Sequence, residues 1–146
     1  MAQGRPVHLL AAEAGSERAV EIAEALGAGG SPVTVHVLPP AVAFEDGDEG
    51  RLLREARLVV GAVRAALADE GTLFLADERA ALAVPEMLRV LLDERGLGWD
   101  EAWARTRAAT RCRFGCPKSE PRRPFWLVSF LEREHPRLLE LVYEIN

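Results

Sequence analysis

Apolar positions along the chain fall into two kinds of run. Residues 7–12, VHLLAA, and 72–76, TLFLA, are short and apolar at nearly every position, as in strands covered on both faces. Residues 32–38, PVTVHVL, alternate Val33, Val35 and Val37 with other residues, which predicts a short strand closed by Pro39-Pro40. The longer runs step by three and four. Ala19, Ile22, Ala23 and Leu26 mark a helix, with Ser16 as a candidate N-cap and Gly27 and Gly29-Gly30 at its end. The strongest helical signal covers residues 51–68, where Leu52, Ala56, Val59, Val63 and Ala66 form a stripe widened by Leu53, Val60 and Leu67. So broad a face suits a helix packed on a sheet better than a coiled coil. Asp69-Glu70-Gly71 ends it.

Beyond the strand at 72–76, Val84, Leu88, Leu91 and Leu92 stripe a helix that has Pro85 in its first turn and Gly96 as its stop. Asp100 is placed to cap a further helix through EAWARTRAAT. Pro117, Pro121 and Pro124 make 112–124 an irregular loop, and two helical pieces follow, 125–134 and 136–145, the second opening on Pro136. The order predicts an α/β fold, a small parallel-type sheet of two or three strands with a helix-rich C-terminal half, as a single domain over residues 1–146. That sheet is small for so many apolar helices. The surplus points to one piece of a larger fold, or to packing on a partner.

Composition narrows the chemistry. At 49% apolar and 28% charged residues the chain is an ordinary globular one. It has no apolar run near the ~20 residues that span a bilayer. Glu13, Glu17 and Glu21 break any signal-peptide layout, so a cytoplasmic protein is expected. A net charge of −5 argues against nucleic acid as a partner. Cys112 and Cys116 stand in a C-x3-C spacing that is no zinc half-site, and His8, His36 and His135 are scattered in sequence, so no metal is expected. The acidic stretch 44–50, FEDGDEG, lacks the ligand order of a calcium loop and reads as a solvated turn. Basic charge gathers locally at Arg105, Arg107, Arg111, Arg113, Lys118, Arg122 and Arg123, and Lys118 is the one lysine in the chain.

The candidate site is the strand end at 73–79, since open α/β sheets hold ligands where strands give way to helices. Asp77 and Glu78 could serve there as an acid and a base, or only as anions at a helix N-terminus. Adjacent residues at a strand end diverge, which weakens the first reading. Trp99 and Trp103, four apart, could stack on a sugar; at helical spacing, core packing is the commoner role for such a pair.

Two segments carry more than generic periodicity: ALAVPEMLRVLLDERGLGWDEAW at 81–103 and HPRLLELVYEIN at 135–146. They resemble the N-terminal half of the glycogen and starch (α-1,4-glucan) phosphorylase family. There a strand runs into N-D-T-H-P-A-L-A-I-P-E-L and a W-D-x-A-W helix, and a later helix reads P-R-H-L-x-I-I-Y-E-I-N. Residues 50–67 are similar to that family's G-K-E-L-R-L-K-Q-E-Y-F-V-V helix, and VLPPAVAF at 37–44 to V-L-Y-P-N-D-N-F. VHLLAAEAG at 7–15 sits where the family has M-R-L-W-x-A. In this register 32–38 belongs to a helix end, against the strand that its own alternation predicts.

The resemblance implies part of the Rossmann-like, GT-B type N-terminal domain of a phosphorylase. The family's reaction is phosphorolysis of α-1,4-glucans to glucose 1-phosphate, with pyridoxal phosphate held by a lysine of a C-terminal domain. Lys118 stands in no counterpart of that motif, so no cofactor is expected in this chain. The family's N-D-N gate loop is Ala41-Val42-Ala43 here, and its N-D-T-H is Ala76-Asp77-Glu78-Arg79. Asp77 is therefore the one matched polar group and the single candidate catalytic residue. The sugar-binding histidine of T-N-H-T-x-L-P falls near Arg111-Cys112-Arg113-Phe114, and no histidine lies between His36 and His135. Losing partners built for sugar hydroxyls costs orders of magnitude in activity. The stripe residues Leu82, Val84, Pro85, Met87, Leu88, Leu91 and Leu92 meanwhile match well.

The expectation is a truncated or degenerate phosphorylase module, inactive alone. Its expected partners are an α-glucan or sugar phosphate and either a second copy or a complementary phosphorylase chain, with no nucleic acid and no membrane. The alternative is a non-catalytic binding or interaction module that uses the arginine-rich 105–123 region for an anionic ligand or a partner, because the planar guanidinium binds phosphate bidentately.

Overall fold

The computed structural model describes residues 4–12, 17–38, 49–76, 78–112 and 128–145. Four strands, β1 (Val7–Ala12), β2 (Val33–Leu38), β3 (Thr72–Leu75) and β4 (Thr110–Cys112), form one parallel sheet in the order β2-β1-β3-β4. The helices are α1 (Glu17–Ala28), α2 (Glu49–Ala68), α3 (Ala83–Arg89), α4 (Trp99–Ala109), α5 (Val128–Glu134) and α6 (Pro136–Ile145). A 3-10 turn, Glu78–Leu82, leads into α3, and a π-helical turn, Val90–Glu94, extends it.

The alternating valines at 33–38 do form a strand, paired with β1 from Val7↔Val33 to Ala12↔Leu38. The helix end implied there by the family register gives way to this local β preference. The sheet is also larger than the two or three strands expected. Thr110, read as the end of a helix, is extended (φ −111°, ψ 139°) and starts β4 against Leu73. Asp100 is not the cap of α4: Gly98 holds the N-cap position without a side-chain bond, and Asp100 and Glu101 sit in the first turn against the helix dipole. Gly96 stops the preceding helix at φ 68°, as its position predicts. Ser16, Pro39-Pro40, the acidic residues 44–48 and the loop from 113 onward lie outside the described residues.

Among the described residues the two sheet faces are covered unequally. On one, Leu10, Leu38, Leu73 and Leu75 meet the α2 stripe (Leu52, Ala56, Val59, Val63, Ala66), and α3, α5 and α6 complete the main core. Trp99 and Trp103 pack half-buried against this core, the role favoured from their spacing. On the other face Leu9, Ala11 and Ile22 form a much smaller cluster under α1. The helical surplus shows at the surface too. Leu82, Val84, Pro85, Leu131, Leu139 and Tyr143 line an apolar groove of about 470 Å³, with the Tyr143 side chain largely exposed beside it. Among the described residues no helix is long and apolar enough to cross a membrane.

The turn from α2 into β3 is sterically tight. Glu70 takes φ 54°, and the Gly71 N–H donates to the Ala66 carbonyl at 2.8 Å and to Asp69 Oδ1 at 3.0 Å. A Cβ on Gly71 would lie 2.6 Å from the Pro6 carbonyl oxygen and 2.7 Å from Asp69 Oδ1, and the first of these is backbone that cannot swing away. Gly71→Ala should therefore cost about 1–3 kcal/mol, read as a lower urea midpoint with an unchanged slope. An unchanged midpoint contradicts the close approach.

Candidate functional site

From β1 the chain moves outward to β2, then crosses back past β1 to β3. The crevice between the carboxyl ends of β1 and β3 is thus the topological switch point, where open parallel sheets bind their ligands. The Ala76 N–H donates to the Leu10 carbonyl at 2.9 Å, carrying the β1–β3 ladder to this rim. Asp77 is the next residue in the chain. Its own placement lies outside the described residues, as do 13–16, 39–48 and 113–127, which leave the carboxyl ends of β1, β2 and β4 and include Ala41-Val42-Ala43.

Two residues past Asp77, Arg79 turns inward. Its side chain is 1% exposed, and Nη1 donates to Glu55 Oε1 at 2.7 Å, the Glu55 side chain being 2% exposed. The same carboxylate oxygen accepts from Arg51 Nε at 3.1 Å. Glu55 follows Leu52 by three and precedes Val59 by four, so it belongs to the buried stripe of α2 and needs a buried cation. Arg79 supplies it. At the position where the resemblance places a histidine, this chain has a group that faces the core and ties α2 to the turn after β3.

This pair escaped the pattern reading. The signal was present, since a carboxylate inside an apolar helical stripe demands a partner. Removing one member strands a buried charge, so Arg79→Ala and Glu55→Ala should each cost about 3–5 kcal/mol in chemical denaturation. The double change Glu55→Leu, Arg79→Met should lie much closer to the wild type. A double variant as weak as either single one would contradict the pairing.

A second polar cluster lies on the same sheet face, away from the carboxyl rim. His8, 4% exposed on β1, has Nε2 2.7 Å from Asp69 Oδ2 and Nδ1 3.0 Å from Nε2 of His36 on β2. Two of the three histidines that look scattered in sequence are therefore neighbours, because parallel pairing brings positions 28 apart in the chain onto one face. With both rings neutral, His8 Nε2–H donates to the carboxylate and His8 Nδ1 accepts from His36 Nε2–H. Burial, then the adjacent His8, pulls the His36 pKa below its ordinary value near 6.5. His135 stands apart, edge-on to Phe130 at 6.0 Å. Among the described residues no group of three His, Cys, Asp or Glu side chains could hold a metal ion.

The sign of the pH dependence follows from that lowered pKa. Above about 6.5 His36 is neutral folded or unfolded; below it the unfolded chain takes up the proton first, and stability falls. The urea midpoint should therefore drop as pH is lowered from neutral to mildly acidic, and drop less in His36→Gln. Equal declines in the two proteins would contradict this arrangement.

Of the arginine-rich region, Arg105, Arg107 and Arg111 are described, and all three are exposed. Arg105 pairs with Glu101 at 2.9 Å, and Arg111 Nη1 donates to carbonyls of its own helix end, the Ala108 oxygen at 3.1 Å among them. Arg113, Lys118, Arg122 and Arg123 lie outside the described residues. Arg105 also lines a cavity of about 410 Å³ near the start of β3, together with Arg5, Arg95 and Glu70 over an apolar floor that includes Met87 and Leu91. Arg5 and Arg95 have no acidic partner among the described residues.

A parallel sheet wound outward in both directions from β1, with helices on both faces and a crevice at the β1/β3 rim, is an open α/β unit of the Rossmann-like class. The chain belongs to the carbohydrate phosphorylase family, whose sequence model it matches over residues 52–146. It is similar to the glycogen phosphorylase of Haemophilus influenzae, 36% identical over 80 residues and 55% of this chain. It is 39% identical over 85 residues, 56% of the chain, to the muscle form of glycogen phosphorylase of Oryctolagus cuniculus. To the liver form of Homo sapiens it is 36% identical over 88 residues, 59% of the chain. The aligned part amounts to 10% of each of these relatives, so the chain spans only a small part of their length. The four-stranded α/β architecture accords with part of a phosphorylase N-terminal domain.

A Schiff base to pyridoxal phosphate takes a lysine, and the one lysine of the chain, Lys118, lies outside the described residues.

Proposed function

We propose that this chain is a degenerate module of the phosphorylase family, inactive alone in the phosphorolysis of α-1,4-glucans, which keeps the family scaffold for assembly with a complementary phosphorylase chain. The observation that carries this reading is the inward-turned Arg79. A sugar site at the β1/β3 rim needs polar groups that face the crevice, and this one is spent on Glu55 inside the core. The sequence supports the same reading, since alanine, valine and alanine replace the family's N-D-N and Asp77 alone remains of N-D-T-H. The apolar groove between α3 and α6 supplies a surface for the complementary chain, because exposed apolar area of this kind favours association.

Incubated with glycogen, inorganic phosphate and pyridoxal phosphate, the purified chain should release no glucose 1-phosphate above a protein-free control. Coexpression with a chain that carries the family's cofactor domain should give a stoichiometric complex that does release it. Turnover by the isolated chain at the ~1–1,000 per second common among enzymes would defeat the first half of the proposal. A pure complex without activity would defeat the second.

One observation favours a second reading, a non-catalytic anion-binding module. Arg5, Arg95 and Arg105 meet at one cavity, and its apolar floor suits the body of an organic phosphate. Calorimetric titration with glucose 1-phosphate, glucose 6-phosphate and polyphosphate should then give heat that Arg95→Ala diminishes. Absence of heat with all three rejects this reading.

A further inference from the structure

The two edges of the sheet are built differently. The β4 edge is three residues long and carries Arg111, and short charged edges resist pairing with other chains. β2 is six residues long, Val33-Thr34-Val35-His36-Val37-Leu38, with no lysine, arginine, acid or proline in it. Among the described residues no strand pairs with its outer side.

The β1–β2 ladder shows which backbone groups that outer side presents. The Val7 N–H donates to the Pro32 carbonyl at 2.8 Å, and the register pairs Val7 with Val33. In a parallel ladder this sets Thr34, His36 and Leu38 to bond inward to β1 and leaves the N–H and C=O of Val33, Val35 and Val37 pointing outward. Strand alternation also puts the three valine side chains on one face, the α1 face. There Val35 is 46% exposed and Val37 41%.

We infer that β2 is a self-pairing edge, and that two copies of this chain join by antiparallel β2–β2 pairing across a two-fold axis, making one continuous eight-stranded sheet. The occupant is a second copy because the strand is complementary to itself. A two-fold axis perpendicular to the sheet keeps each side chain on its face, so facing residues must both be odd or both even. Centring the axis on Val35 sets Val35 against the partner's Val35 and Val33 against the partner's Val37. Each of these facing pairs exchanges both of its N–H···O=C bonds, because all three valines point their backbone groups outward. Moving the axis to His36 leaves Val33 without a partner. The valines then form a β-branched cross-strand ladder that covers the exposed Val35 and Val37. No acid, lysine or arginine lies in either of the paired strands, and in this register His36 faces the partner's Thr34 and not a second histidine.

Sedimentation velocity on the full chain, from micromolar to near-millimolar concentration, tests this together with two charged variants. The 16.0 kDa chain should sediment as a dimer in the upper part of that range. Val35→Lys and Val35→Glu each set like charges face to face on the axis, and each should sediment as a monomer with an unchanged circular dichroism spectrum. An equimolar mixture of the two should recover the dimer, since opposite charges then meet at the axis. Val35→Pro should also be monomeric, because it removes an N–H that faces away from β1 and leaves the sheet's own bonds in place. A wild-type chain that stays monomeric throughout overturns the proposal. So does a dimer that survives in Val35→Lys and Val35→Pro, which would be made by another surface, or a mixture that fails to reassociate, which would rule out the register.

Discussion

The carboxylate of Glu55 inside the α2 stripe is the constraint on which the site depends. An ionised group at that depth is tolerable only with a cation beside it, and the cation comes from the far side of β3, from Arg79. The pair therefore fixes where the chain turns after β3, and with it the entry of α3 into the main core. Neutral carriers of hydrogen bonds could face a crevice from this turn. A guanidinium committed to Glu55 cannot do so without leaving the carboxylate to Arg51 alone.

The rest of the scaffold is held by two means, apolar packing and paired charges. The apolar stripes of α2 and α3 lie where the family match lies, and their residues are those that fill the core. Charged residues bind the helices to one another at the surface: Arg64 of α2 and Arg89 of α3 share Glu94, and Arg137 of α6 grips Asp93. Glu94 holds the Arg64 guanidinium, Glu86 that of Arg89 and Asp93 that of Arg137 above the ordinary arginine range. A parallel sheet carries helices on both faces, and its switch point falls at the rim between β1 and β3. Packing and charge pairing together keep this architecture.

Much of this fold was legible in the residues themselves. The step of four and three from Leu52 to Ala66 marks α2, the alternating valines mark β2, and the apolar run at 72–76 marks β3, because each pattern reports a local period. β4 was not legible: Thr110-Arg111-Cys112 is too short to carry a period, and only pairing with Leu73, Phe74 and Leu75 of β3 makes it a strand. The cap of α4 was misplaced for a related reason, since Gly98 holds that position through backbone shape while Asp100 merely resembles a capping residue. At the site, the sequence located the strand end but not the fate of Arg79, which depends on a residue 24 positions earlier in the chain. The His8–His36–Asp69 cluster is equally non-local, assembled by strand pairing and one turn.

The state of the Arg79 guanidinium decides whether the crevice keeps a polar group there, and nitrogen-15 NMR of the arginine side chains observes it directly. A buried, bonded Arg79 should give resolved Nη–H signals that exchange slowly with water, and these should be lost when Glu55 is changed to Gln. Arg79 signals that exchange as fast as those of an exposed arginine such as Arg107, and ignore the change at Glu55, would contradict it. The residue would then be free to face the crevice, and the case for an erased site would fail.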